Sequence, residues 1–200
     1  MTEHYYTSKP QAASRPEEVT VTLRGRDFVF VTDAGVFSKG RVDKGTRLLI
    51  EHLPLPARGD VLDLGCGYGP VGIVVAAESP HARVRMVDVN ERAVELARAN
   101  LRRNGIDNAE AVAGDGFAAA GGRRFSLIAS NPPIRAGKRV VYAWVEEARR
   151  RLLPGGRLVM VARTSQGAKS LARKMEEVFG NVSELAKGSG YRVLQAVRTE

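Results

Sequence analysis

The sequence is poor in residues that carry covalent or metal chemistry. Its 200 residues include one cysteine, Cys66, and three scattered histidines, His4, His52 and His81. A single cysteine excludes an internal disulfide and any multi-cysteine metal site, so no metal is expected. Aromatic residues make up only 6% of the chain, with one tryptophan, Trp144. Long apolar runs are missing too. The longest, Val71 to Ala77, spans seven residues, against the roughly 20 that a membrane-spanning helix requires. The N-terminal stretch has no apolar core, which speaks against a secretory signal. These absences point to a cytoplasmic-type protein with no membrane partner. Acidic charge is the other shortage: Asp and Glu number 22 against 31 Lys and Arg, a net +9. The deficit is local, since residues 1–130 hold 17 basic and 16 acidic side chains, net +1, and residues 131–200 hold 14 and 6, net +8. Such an excess is the footprint expected for a phosphate-rich partner, although a merely solvated arginine-rich surface has the same count.

What is present describes one globular domain. Hydrophobic residues are 44% and charged residues 26%, enough to bury a core. Residues 1–18 are polar and carry Pro10 and Pro16, which reads as a flexible N-terminal arm, with the domain over 19–200. The runs 19–23 and 28–31 flank Arg24-Gly-Arg-Asp27 and read as a β-hairpin. Apolar strands are then expected at 60–64, 84–89, 109–113, 125–130 and 158–163. Helices lie between them, clearest at 91–104, where Val94, Ala97 and Leu101 recur on one face. Val141, Val145, Ala148 and Leu152 repeat that spacing before the Pro154-Gly-Gly stop. A helix near 168–179 precedes two strands, 182–185 and 191–197, with no helix between them. The pattern predicts an α/β fold, a Rossmann-like, doubly wound, mostly parallel seven-stranded sheet with a C-terminal antiparallel hairpin and an N-terminal hairpin extension.

Four motifs stand just past predicted strands. The first, Val61-Leu-Asp-Leu-Gly-Cys-Gly-Tyr-Gly69, runs a strand into a glycine turn and then a helix, which lets a ligand approach the backbone. Its spacing is Gly65-x-Gly67-x-Gly69 followed by Pro70, not the G-x-G-x-x-G of dinucleotide binders. Asp63 beside the turn would repel a pyrophosphate and suits an ammonium. The second is Asp88, which can accept both hydroxyls of a ribose; it could instead cap the helix at Glu91, though Asn90 is the better cap. The third, Gly114-Asp-Gly-Phe117, offers Asp115 to an adenine amine and Phe117 to the ring, or is a plain turn. The fourth, Ser130-Asn-Pro-Pro-Ile134, is the most specific. Two prolines fix a rigid turn whose carbonyls stay free and whose missing N–H groups cannot compete. The side-chain carbonyl of Asn131 and the backbone carbonyl of Pro132 can then take the two hydrogens of a planar amine. Cys66 between two glycines reads as a small buried packer, and Trp144 as core.

Strand by strand, these motifs resemble the class I S-adenosylmethionine-dependent methyltransferases, amino-group branch. The stretches Asp33-Ala-Gly-Val-Phe-Ser-Lys-Gly40, Val42-Asp-Lys-Gly45 and Asn131-Pro-Pro-Ile-Arg-Ala-Gly-Lys138 are more closely similar to the "methyltransferase small" group, with its ribosomal RNA small-subunit methyltransferases of type C, which act on guanine N2. The resemblance implies S-adenosylmethionine as cofactor. It places the methionine end at Asp63, Gly65 and Gly67, the ribose at Asp88 and the adenine at Asp115 and Gly116, with Val89 and Asn90 also in the cofactor site. Phe37 and Lys39 fall in a loop that covers the cofactor in that group. Asn131, Pro132, Pro133 and Ile134 become the catalytic set, with Asn131 also beside the cofactor. Members of type C carry a second, degenerate domain before the catalytic one and an aromatic residue where this chain has Ile134.

Methyl transfer from a sulfonium needs orientation more than acid–base help, so no strong general base is expected. The implied partner is ribosomal RNA or a ribosomal subunit, met by Arg135, Lys138, Arg139 and Arg163; a homodimer is one way to replace a missing recognition domain. Three alternatives stand beside this reading. The Asn-Pro-Pro grip also suits a protein glutamine amide. A nicotinamide oxidoreductase shares the sheet but not the glycine spacing. A non-catalytic RNA-binding or assembly module could retain the cofactor site.

Overall fold

The computed structural model describes residue 8, residues 13–133 and residues 136–200. Two strands, β1 (Glu17–Leu23) and β2 (Arg26–Thr32), pair antiparallel as a separate hairpin. A helix α1 (Lys44–His52) follows, and then the alternation begins: β3 (Gly59–Leu64), α2 (Pro70–Glu78), β4 (Ala82–Asp88), α3 (Glu91–Arg103) and β5 (Ala109–Ala113). The second half runs β6 (Phe125–Ser130), α4 (Lys138–Arg151), β7 (Leu152–Arg163), α5 (Ala168–Phe179), β8 (Ser183–Gly188) and β9 (Tyr191–Val197). The seven strands of the large sheet lie in the order β5-β4-β3-β6-β7-β9-β8. Strands β3 to β7 are mutually parallel, and β9 inserts antiparallel between β7 and β8. The chain winds outward from β3 to β5, then returns to place β6 on the other side of β3. That reversal is where such sheets hold their ligands.

Period-two alternation divides the core into two layers. Val61 of β3, Leu127 of β6 and Val159 of β7 face α1, α2 and α3, while Leu62, Ile128 and Leu158 face α4 and α5. Asp63 shares the face of Val61, so this carboxylate is turned under α2.

Several boundaries differ from the sequence reading for identifiable reasons. Leu152, expected to close the α4 stripe, opens β7 instead and pairs with Phe125. Helix α1 was not anticipated as an element. Asp43 starts it as N-cap, its carboxylate accepting from the N–H groups of Gly45 and Thr46. The hairpin docks by apolar contact, with Leu23, Phe28 and Phe30 buried in the same layer as α2 and α3, and by polar pairing as well. Asn100 accepts from Val31 N–H at 2.8 Å and donates to Val31 C=O at 3.0 Å, and Asn104 does the same to Val29 at 3.0 and 2.8 Å. One helical turn of asparagines thus acts as a strand partner for β2. Most of the expected N-terminal arm lies outside the described residues, but Ser14 Oγ and Arg15 N–H donate to Asp33. The part next to the hairpin is therefore tied to it.

Candidate active site

A cavity of about 330 Å³ opens at the carboxyl ends of β3, β4 and β6, at the point where strand order reverses. Its floor is the glycine turn after β3. Gly65 N–H and Cys66 N–H both donate to Val87 C=O at 2.8 and 2.9 Å, and Gly67 N–H reaches the Asp88 carboxylate at 2.8 Å. Asp88 also accepts from Asn90 N–H at 2.8 Å. The acid therefore orders two turns at once and still presents its carboxylate to the cavity. Asn90 caps α3 through Ala93 N–H, as its position in the sequence suggested. Gly67 has φ +57°, a left-handed conformation, and a Cβ built there would meet nothing, so the turn leaves space on its ligand side.

Asp63 lies 2% exposed beneath the first turn of α2, where Gly72 N–H donates to Oδ2 at 2.9 Å. Gly72 permits this approach: a Cβ there would stand 2.4 Å from Met86. Burial, with a smaller push from the neighbouring Asp88 charge, raises the Asp63 pKa from 3.8 to about 7 against the Gly72 hydrogen bond. Asp88 is raised too, mainly by burial. A buried carboxylate and a half-buried one, with few fixed cationic partners, make a place for a cationic group. The same burial pushes the Cys66 thiol up, which suits an inert packer rather than a nucleophile.

The opposite wall is the turn after β6. Ser130 Oγ donates to Leu64 C=O at 2.6 Å, locking the end of β6 to the end of β3. Asn131 follows at the lip, its Nδ2 donating to Thr46 Oγ1 at 2.9 Å and, at 3.4 Å, to Asp43 Oδ2. That spends the amide nitrogen on α1 and leaves the side-chain carbonyl for the cavity. Pro133 C=O accepts from Ala136 N–H at 2.8 Å.

The cavity gathers Phe37, Asp63, Gly65, Gly67, Asp88, Val89, Asn90, Asp115, Gly116, Asn131, Pro132 and Pro133. Lys39 stands apart, pairing with Glu17 at 3.0 Å, because that partner holds it over the hairpin. Phe117 is buried in the α4 and α5 layer, so the single helical turn at Gly116–Ala118 points it away from the cavity. Ile134 and Arg135 lie outside the described residues. Lys138 and Arg139 are exposed at the start of α4, and Arg163 is exposed with its guanidinium 5.2 Å from the Tyr191 ring centroid. Among the lining residues not assigned to the site from sequence are Asp43, Thr46, Tyr68 and Trp144. Tyr68 donates its hydroxyl to Arg41 C=O at 2.9 Å, pinning the loop before α1 to the glycine turn. Trp144, expected in the core, is half-buried against the α4 and α5 layer, and its ring also reaches the two glycine turns, 3.6 Å from a Cβ built on Gly65 and 3.0 Å from one on Gly116.

A family model for the methyltransferase small domain matches residues 27–195, which spans both walls of this cavity. The chain belongs to the methyltransferase small domain family. With that family it is an S-adenosylmethionine-dependent methyltransferase. It is 44% identical over 198 residues to the uncharacterized protein YbxB of Bacillus subtilis (strain 168), covering 98% of each chain. To ribosomal RNA small subunit methyltransferase C of Pseudomonas putida (strain W619) it is 37% identical over 189 residues, 92% of this chain and 56% of that protein. Among solved structures, the T. thermophilus 16S rRNA N2 methyltransferase RsmC, in complex with AdoMet and guanosine, superposes with a TM-score of 0.81 at 31% identity, covering 92% of this chain and 50% of that one. The chain spans about half the length of the ribosomal RNA methyltransferases it matches.

The residues present fit the cofactor: a buried acid with a raised pKa suits its ammonium, and Asp88 beside the open glycine turn suits a ribose diol. Four lining carboxylates, Asp43, Asp63, Asp88 and Asp115, disfavour a pyrophosphate, so the nicotinamide alternative fails on charge as well as on glycine spacing.

Proposed function

We propose that this methyltransferase acts on an exocyclic amine of RNA, guanine N2 of ribosomal RNA being the acceptor. The observation that carries the reading is the Asn131-Pro-Pro133 turn, with its side-chain carbonyl on the wall opposite Asp63 and Asp88. When bound, S-adenosylmethionine supplies a methyl group on a positive sulfur that departs with the bonding electron pair. In this reading Asp63 holds the ammonium, Asp88 the ribose hydroxyls, and Asp115 with Gly116 the adenine edge. Asn131 Oδ1 and the Pro132 carbonyl take the two amine hydrogens. That grip aims the nitrogen lone pair into the cavity and stabilises the positive charge growing on it. Lys138, Arg139 and Arg163 would meet phosphates around the base. The likeness to the T. thermophilus 16S rRNA N2 methyltransferase with its bound guanosine supports guanine N2 over other amines, and the excess of basic residues after 131 supports RNA over a protein glutamine.

Nucleoside mass spectrometry of ribosomal RNA tests this. RNA from cells lacking the gene should lose N2-methylguanosine at one position and regain it with the wild-type gene, not with Asn131→Ala. An unchanged RNA profile beside a lost methylglutamine in protein would transfer the assignment to the glutamine reading.

A further inference from the structure

We infer that Asp43 and Thr46 are positioning residues for the methyl acceptor: a directed hydrogen-bond relay from the start of α1 fixes which end of the Asn131 amide faces the cavity. The inference rests on the reading that Asn131 receives the amine. An asparagine amide is nearly symmetric in shape, and a half-turn of its last torsion exchanges a carbonyl acceptor for a two-hydrogen donor. Flipped, Asn131 would present N–H to the N–H of the amine and repel it. Something must read the difference between its two ends.

Asp43 is that reader. Its carboxylate only accepts, and it is itself fixed, Oδ1 taking Gly45 N–H at 2.9 Å and both oxygens lying 3.4 Å from Thr46 N. The Thr46 hydroxyl donates its single proton to Asp43 Oδ2. Having no second proton, it can offer Asn131 only a lone pair. The amide atom 2.9 Å from Thr46 Oγ1 is therefore the nitrogen, and Asp43 Oδ2 at 3.4 Å adds a second demand for a donor. Donor count alone thus sets the polarity, beginning at the carboxylate and passing through one hydroxyl. The first turn of α1 has little room to shift, since a Cβ on Gly45 would lie 2.6 Å from the Tyr191 ring. Thr46 is 5% exposed, so water competes poorly for its hydroxyl. The relay also ends on a full negative charge. Hydrogen bonds polarise one another along such a chain, which makes Asn131 Oδ1 a better acceptor as the amine nitrogen becomes positive on forming its bond to the methyl carbon.

The test uses Thr46→Val, which keeps the shape and removes the hydroxyl, with Thr46→Ser as the conservative rescue and Asp43→Asn, which offers Thr46 a donor and can reverse the relay. In the ligand-free protein, the side-chain amide protons of Asn131 should show slowed exchange by ¹⁵N–¹H NMR in the wild type and Thr46→Ser, and lose it in Thr46→Val. With tritiated S-adenosylmethionine and ribosomal subunits from a strain lacking the gene, Thr46→Val should lower kcat by about 10- to 100-fold. KM for the cofactor should stay within about twofold, and Thr46→Ser should restore most of the rate. Asp43→Asn should fall at least as far as Thr46→Val. In an Asn131→Ala background Thr46→Val should cost nothing further. A wild-type rate and amide protection in Thr46→Val, or the same loss with and without Asn131, overturns the relay. A wild-type rate in Asn131→Ala alone overturns instead the acceptor reading beneath it.

Discussion

Asp63 shows how much one buried side chain commits the site. Its pKa of about 7, against an ordinary 3.8, means that the folded, ligand-free protein keeps a proton the unfolded chain would release. Between those two values stability contributed by Asp63 falls as pH rises, and above about 7 the loss is complete. An ammonium bound there selects the ionised form, so ligand affinity runs the other way. Titration calorimetry with S-adenosylhomocysteine, which carries the same ammonium, should show binding tighten roughly five- to tenfold from pH 6.0 to 7.5. Asp63→Asn should bind weakly and without that slope; a flat wild-type profile would remove the ammonium assignment. Asp63, Asp88 and Asn131 stood out in the sequence because each lies at the end of an apolar strand, Asp63 and Asn131 next to a glycine or proline turn, and the structure brings all three to the cavity. Trp144 was not. Helical spacing puts it beside Val141 and Val145, and nothing in that spacing reveals that two bare glycines on other turns leave room for its ring. Thr46 was hidden for a related reason: its hydroxyl oxygen accepts from Asn131, 85 residues away.

At the scale of elements, the strands and the helices between them were readable from period and punctuation, and the antiparallel end from two strands without a helix. Helix α1 was overlooked although Asp43 is a capping residue, because it is nine residues long, has Gly45 in its first turn and carries its apolar residues as the single run Leu48-Leu-Ile50 rather than at helical spacing. The polar part of the hairpin's docking could not be read. Asparagines in a helix look like solvent-facing residues, yet Asn100 is fully buried and bonds both Val31 and, at 2.9 Å, Tyr68 C=O. Replacing it with leucine of similar size leaves backbone groups without partners. Urea denaturation of Asn100→Leu should show a loss of about 2–4 kcal/mol. A change under 0.5 kcal/mol would mean that apolar contact alone holds the hairpin.

Across the whole molecule, an acidic cavity sits in a chain of net +9. The two accord with the proposal that carboxylates hold a cationic cofactor while arginines and lysines outside the cavity meet an anionic substrate. Charge balance by segment was legible from composition, whereas the absence of basic side chains from the cavity lining among the described residues required the fold. Lys138→Ala and Arg139→Ala should each leave S-adenosylhomocysteine binding intact. Each should also reduce the salt slope of RNA binding by about 0.7, the amount expected for one phosphate contact on a single strand. Unchanged slopes in both would place the RNA elsewhere on the surface.

Methyl transfer by the purified protein tests the central claim most directly. Tritiated S-adenosylmethionine would be incubated with ribosomal subunits, naked ribosomal RNA and cell protein from a strain lacking the gene, using wild type and Asn131→Ala. The account predicts label in RNA, lowered by about 10²- to 10³-fold in Asn131→Ala while cofactor binding is kept. Label in protein, or equal label in RNA from both proteins, would contradict it.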